Sequence, residues 1–594
     1  MHYAKTSLLS LSAAVAAALC VAAPQEAAAC GGFFCDTGGP QPMPVDQTGE
    51  NILFIIDGQK VEAHIQIQYD PTSGASQFAW VIPVQALPEF SVGSELLFTN
   101  LLAGTVPSYQ LNRTFATCGS NESGGGGTTA GPGGYDSDFG TSGTTDPTTG
   151  GPEIIHQETV GAFDIAVLSG GTTESVMQWL ADNGYEQDPE AAPIFDDYLK
   201  EGYLFAAFKL TNNVDVDQLH PIVLTFDTGE ACIPLRLTRI AAIEDMGVRT
   251  FFLGDARVAP RNYRHVLVNP LKIDWLNLTS VSTQYQELIT QAVDALKSDG
   301  HGFVTEYAGA SLVVSQAGLY STGWSSTPFA SLDPTAVMGA LAQQNIASCS
   351  SYGCSFFHPL IEGLLAQFLP VPDGLAQEDF YSCVECFPEL IDQDAWDGPA
   401  FADAYQQRII DPGKRAVDLL DTWRYVTRMY TTISPGEMTI DPFFHENPQL
   451  GDVANVRSAT SNTLCNGNQI VTLPDSREVY VPLGQGWPAF IDELPYEEDI
   501  EEVMASGAPI NLVDNTALID AKLKAWNDAV NAAGGFDDDG PGSGSGTDTS
   551  SATKDDEGCG CQVDSGLAGA TSGLALALLL FGLRRRRRDD GSLN

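Results

Sequence analysis

Basic residues are scarce in this chain. Its 594 residues include 28 Lys+Arg against 76 Asp+Glu, a formal net charge of −48. Neutralising a phosphate backbone takes clustered Lys and Arg, so no nucleic-acid partner is expected. The usual catalytic signatures are missing as well. There is no His-Glu-x-x-His, because His445-Glu446 is followed by Asn447-Pro448-Gln449 and no second ligand stands one helical turn on. There is no Gly-x-Ser-x-Gly elbow and no phosphate-binding loop ending in Gly-Lys-Ser/Thr. Asp537-Asp538-Asp539-Gly540 hints at a calcium loop, but Pro541 occupies a ligand position. No internal repeat is found. No catalytic residue and no cofactor is therefore assigned. Apolar residues are not scarce. They make up 43% of the chain, with 8 Trp, 18 Tyr and 28 Phe, so a large core can be buried.

The two ends read as addresses rather than fold. Residues 1–29 form an export signal, with Lys5, an apolar run from Leu8 to Ala23, and the small cleavage site Ala27-Ala28-Ala29. Cleavage leaves Cys30 first. Its alternatives are a disulfide with Cys35 or a lipid, although Ala27 stands where a lipoprotein signal carries a larger apolar residue. At the other end Cys559-Gly560-Cys561 precedes the apolar stretch Gly566 to Leu583 and then Arg584, Arg585, Arg586, Arg587 and Arg588. A helix of that length spans roughly 27 Å, enough for a thin hydrocarbon core. The arginines should stay cytoplasmic, which exports the body of the chain.

That order resembles the myxobacterial C-terminal sorting signal MYXO-CTERM, over residues 559–594. The resemblance implies cutting by a sorting protease, lipid modification at Cys559 or Cys561, and display at the cell surface or outer membrane by way of the inner membrane. An uncut membrane anchor is the alternative. The tail beyond Cys561 carries five Arg against three Asp, so its loss leaves a product more acidic than the whole chain. Such a surface suits calcium or a cationic partner better than an anionic one.

Residues 119–152 are a low-complexity insert with 12 Gly among 34 positions, expected to be a flexible loop. Residues 534–558 are an acidic linker suited to a stalk. Between the ends the expected class is α+β and disulfide-containing. A β-rich first half (30–275), mainly antiparallel, leads into a more helical continuation (276–533) that carries a Cys cluster. Ile52 to Ile56 is a strand ended by the Asp57-Gly58 turn. Val61 to Tyr69 alternates apolar residues with Glu62, His64, Gln66 and Gln68, the pattern of a half-buried strand with a solvated polar face. Strands are also expected at Phe78 to Val84, with Pro83 marking an edge or end, and at Phe163 to Leu168, Leu204 to Leu210, Ile222 to Phe226, Ile233 to Leu237, Val248 to Leu253 and His265 to Val268. Helices are expected at Ser94 to Ala103, stopping at Gly104, and at Thr173 to Asn183. Tyr285, Leu288, Ile289, Ala292 and Leu296 share one helical face, as do Leu419, Trp423, Val426 and Tyr430.

Several segments together resemble the bacterial family called domain of unknown function 2330. They are Cys30-Gly31-Gly32-Phe33-Phe34-Cys35, Pro44-Val45-Asp46-Gln47, Phe78-Ala79-Trp80-Val81-Ile82-Pro83-Val84 and Ile233-Pro234-Leu235-Arg236-Leu237-Thr238. The resemblance covers residues 30 to about 370 and continues to Met438-Thr439-Ile440-Asp441-Pro442. It implies no known activity, catalytic residue or cofactor.

Of 12 Cys, Cys20 leaves with the signal. Cys349, Cys354, Cys383 and Cys386 form two close pairs. An exported chain meets an oxidising compartment, so two disulfides are the default. A tetrahedral zinc site, with His358 as the one His worth testing as an added ligand, is the alternative. A redox-active pair is a third, though no thioredoxin-type unit is evident. For the whole protein two readings stand. One is a non-catalytic envelope or interaction module. The other is an extracellular hydrolase with a metal- or carboxylate-based site, whose acids would be defined only by distance in space.

Overall fold

The computed structural model describes residues 33–34, 47–69, 79–116, 152–183, 190–210, 219–227, 230–350, 352–534 and 536. The fold is α+β with mainly antiparallel sheets. The described residues all fall in one compact unit; a second, 539–594, lies outside the described residues.

Ten strands make the central sheet. Their order is Ile510–Asp514, Glu497–Glu502, Arg264–Val268, Gly302–Ala310, Tyr425–Ile433, Ala242–Gly254, Gln47–Asp57, Lys60–Tyr69, Ile222–Phe226 and Glu89–Val92. Only two neighbouring pairs are parallel, Gln47–Asp57 with Ala242–Gly254 and Arg264–Val268 with Gly302–Ala310. Gln47–Asp57 and Lys60–Tyr69 form the hairpin that Asp57-Gly58 implies, and Gly58 turns it at φ +63°. Strands from both sides of residue 275 alternate in this sheet, so the two halves of the chain share one core.

A second sheet packs against one face. It contains Phe33–Phe34, Ala79–Val84, Leu204–Leu210, Phe163–Ser169 and Glu153–Val160. Period two sorts its side chains. Trp80, Ile82 and Val84 join Ile52 and Phe54 between the sheets, while Val81 meets Val176, Leu180 and Phe195 of helices Thr173–Asp182 and Ala191–Lys200 on the outside. Phe33–Phe34 pairs only with Ala79 and Trp80, so Pro83 lies where that side of its strand is open among the described residues.

The other face of the central sheet is also covered. Leu53, Ile55, Phe251 and Leu253 pack on helices Glu95–Thr105 and Asp411–Thr422. A helical lobe around Phe329, Leu364, Phe401 and Tyr405 holds its own core. A four-stranded sheet (Glu478–Val481, Gln469–Thr472, Val456–Thr463, Ser108–Phe115) packs with Trp275 and helix Thr516–Ala532.

Five expectations need correction. The polar residues of strand Lys60–Tyr69 are not all solvated: Glu62 is 8% and His64 2% exposed. Their cover comes from helices far along the chain, which strand periodicity does not register. Ile233 to Leu237 is not a strand; Ala231–Cys232 is, and Leu235–Thr238 is a short helix. Val426 and Tyr430 belong to strand Tyr425–Ile433, because a four-residue spacing keeps one face in a strand as well as in a helix. Leu296 falls past helix Val281–Val293 and is exposed. Helix Glu95–Thr105 starts as expected, with the Ser94 hydroxyl accepting from Leu97 N–H, but it runs through Gly104. A Cβ there would sit 2.3 Å from the Val313 carbonyl oxygen, so this glycine serves close packing rather than termination.

Candidate functional site

Described parts of three segments that carried the family resemblance meet in space. Phe33 and Phe34 pair with Trp80 and Ala79. Trp80 to Val84 then wall a cavity of about 50 Å³ between the two sheets, together with Cys232, Pro234 and Thr238. Its central-sheet side is Ile52, Phe54, Ala63, Ile65 and, among these apolar groups, Glu50. Glu50 shares a face with Ile52 and Phe54 and is 4% exposed. Burial pushes its carboxyl up to about 7, and its Oε2 has no hydrogen-bond partner among the described residues.

Beside the cavity, Ile233–Thr238 meets Met438–Pro442. Asp441, buried, accepts from the Arg236 backbone N–H at 2.9 Å and from Arg236 Nε at 3.0 Å. Tyr198 Oη bonds its two oxygens, at 3.0 and 2.8 Å. The Arg236 guanidinium lies 4.1 Å over the Tyr198 ring and also pairs with Glu201. Burial raises the Asp441 carboxyl, against the pull of Arg236 and Tyr198. This cluster clamps together segments 205 positions apart in the chain. Cys232, next to it, is free and half-buried. Burial first, and the Asp441 carboxylate second, holds its thiol well above the ordinary range, so it is a poor nucleophile.

The family comparison falls on this region. Residues 24–324 match the family described as an uncharacterized protein conserved in bacteria, DUF2330. The chain belongs to that family. No curated protein and no solved structure matches it. The matched stretch supplies every cavity wall named above. It does not supply Asp441, or strand Tyr425–Ile433, which joins Gly302–Ala310 to Ala242–Gly254 in the central sheet.

On the sheet's other face a wider cleft of about 830 Å³ opens beside helix Asp411–Thr422. Asp57, Glu62, Glu89, Asp411 and Asp418 line it, with Lys60, Lys414 and Arg415. Glu62 Oε1 accepts from His64 Nε2 at 2.8 Å and from Arg415 Nε at 3.2 Å, and its Oε2 accepts from Arg415 Nη2. Burial pulls the Glu62 carboxyl upward, but His64 and Arg415 outweigh it and hold the group down at about 2. It is a fixed anion near neutrality and no proton donor. Behind it, Asn51 Nδ2 donates to Gln66 at 2.7 Å, and Gln66 Nε2 to Glu95 at 2.6 Å.

The expected cysteine pairs are close in space. Cys349 and Cys354 sulfurs are 2.05 Å apart across the hairpin Ala347–Ser350 and Gly353–Phe356, and those of Cys383 and Cys386 are 1.95 Å apart. Cys465 is also disulfide-bonded. The zinc alternative needs thiolates on Cys349, Cys354, Cys383 and Cys386, and in closed bridges they have none. His358 is buried, and its Nδ1 accepts from Leu360 N–H at 3.3 Å. Burial pushes it down to about 4, which makes it a neutral core residue. Among the described residues no group of three His, Cys, Asp or Glu is placed to hold a metal, and no helix is long and apolar enough to cross a membrane. Cys30, Cys35, Cys559, Cys561 and Arg584 to Arg588 lie outside the described residues.

The sequence reading missed Glu50 and Arg415. Glu50 had one signal, an acid interrupting the apolar phase that continues at Ile52 and Phe54. Arg415 had none, since its partner Glu62 is 353 positions away.

Proposed function

We propose that this chain is exported and displayed on the bacterial cell surface, where it works as a non-catalytic envelope or interaction module. The observation that carries the reading is the pair of bridged cysteines, 349–354 and 383–386, in a chain with a leader at one end and a Cys-Gly-Cys tail at the other. A sorting protease and lipid-attaching machinery are its partners at the tail, and the lipid or the C-terminal helix holds it to the membrane. Two of the buried acids support a module over a hydrolase. Glu62 and Asp441 are bound by arginines in arrangements that hold the fold together.

The test replaces Cys559→Ser and Cys561→Ser together in the producing cell. Lipid incorporation should vanish, and protease treatment of intact cells should no longer cleave the body of the protein. Unchanged lipid labelling and unchanged surface cleavage of the double variant would contradict the reading.

A further inference from the structure

We propose that the cavity between the two sheets is a binding site for a primary alkylammonium group, with Glu50 as its counter-ion. This goes beyond surface display and does not depend on it.

Three observations converge. The first is Glu50 itself, an acid whose Oε2 is unpartnered inside the protein. An unmet buried acceptor is costly, more so when charged, so a donor arriving there recovers that cost. The second is the sign of the lining. Glu50 and Glu230 both line the cavity, and among its described lining residues there is no Lys, Arg or His. An anion is therefore repelled, and a cation meets no competitor. The third is the remaining wall, with Phe54, Trp80, Tyr203 and Phe226 among aliphatic side chains. Aromatic faces attract a desolvated ammonium, and apolar walls take an alkyl body.

Size sets the ligand class. A cavity of about 50 Å³ admits only a few heavy atoms. About two heavy atoms fill that space, so the –NH₃⁺ and its adjoining carbon sit inside and the rest of a straight chain lies toward the open side; an amine branched next to its nitrogen does not enter. Gln85, Phe226, Glu230 and Thr238 are half-buried and give the lining its side toward solvent. The same chemistry comes from a free amine or from the side chain of a partner's lysine.

The experiment uses the full, disulfide-intact chain and calorimetric titration with n-butylammonium chloride, 1-butanol and Nα-acetyl-lysine N-methylamide. Butylammonium should bind at least about tenfold more tightly than butanol, the gain of one buried charge-assisted hydrogen bond. Glu50→Gln should erase that difference while keeping the weak butanol binding. A second variant, Thr238→Tyr, narrows the cavity without touching the carboxyl and should weaken both ligands. Binding of the lysine probe as well as butylammonium supports a partner's lysine as the source. Binding of butylammonium alone supports a free amine. Equal binding of butanol and butylammonium, undiminished ammonium binding in Glu50→Gln, or no binding of any probe would overturn the proposal.

Discussion

Arg428→Met should destabilise the protein by about 3–5 kcal/mol, the usual cost of breaking a buried ion pair from one side. Arg428 and Glu306 have side chains only 3% and 1% exposed, and the Arg428 Nε donates to Glu306 Oε2. They sit on adjacent strands. Thr305 pairs with Met429 and Tyr307 with Arg428, so Glu306 is the extra residue of a bulge that turns its carboxylate toward the guanidinium. Arg428 Nη1 also reaches the Leu102 carbonyl and Thr105 hydroxyl at the end of helix Glu95–Thr105, each at 3.3 Å. Methionine would leave the Glu306 carboxylate without its arginine, deep in the protein, and would remove one of the two donors to the Leu102 carbonyl, the other being Val106 N–H. The double variant Glu306→Gln, Arg428→Met should recover part of the loss, because no unpaired charge then remains. Urea denaturation of the three proteins measures this. A loss below about 1 kcal/mol for the single variant, typical of exposed pairs, would show that the pair is not buried as described.

Glu62 should make the fold acid-sensitive, and the sign follows from its depressed pKa. The folded group titrates at about 2 against an ordinary 4.5. Its contribution is therefore fully present above 4.5 and is lost as pH falls toward 2. The shift corresponds to about 3 kcal/mol. Glu62→Gln should cost roughly that amount at pH 6, and the difference from the parent should shrink toward zero between pH 4.5 and 2. Glu50 acts in the opposite sense. Its raised pKa gives a contribution present below 4.5 and lost as pH rises through about 7, so only the difference between parent and variant isolates Glu62. Denaturation at a series of pH values supplies the curve. A pH-independent cost would show that Glu62 acts by packing and not by charge.

These two residues mark the boundary of what could be read from sequence. The strand carrying Glu62 was legible, because residues 61 to 69 alternate and Asp57-Gly58 announces the turn. Ile222–Phe226 was legible to the residue. The burial of Glu62 and His64 was not, since alternation reports that a polar face exists and says nothing of what later covers it. The convergence of Trp80, Ile82 and Val84 on Glu50 needs two sheets to be stacked, which no local pattern encodes. Arg236 and Asp441 were both inside segments singled out for their resemblance, yet their pairing spans 205 positions and appears only in three dimensions. The cysteine pairs were the easiest part, because three or five positions of separation leave few partners within reach.

The proposed working protein is a disulfide-closed body freed of both its leader and its basic tail and held outside the cytoplasm. Mass analysis of the protein recovered from the cell surface, intact and after non-reducing digestion, tests it most directly. The predicted result is a chain lacking residues 1–29 and everything after the Cys559-Gly560-Cys561 motif, with Cys349 linked to Cys354 and Cys383 to Cys386. A chain retaining both ends, with those four cysteines as free thiols or bound to stoichiometric zinc, would contradict it.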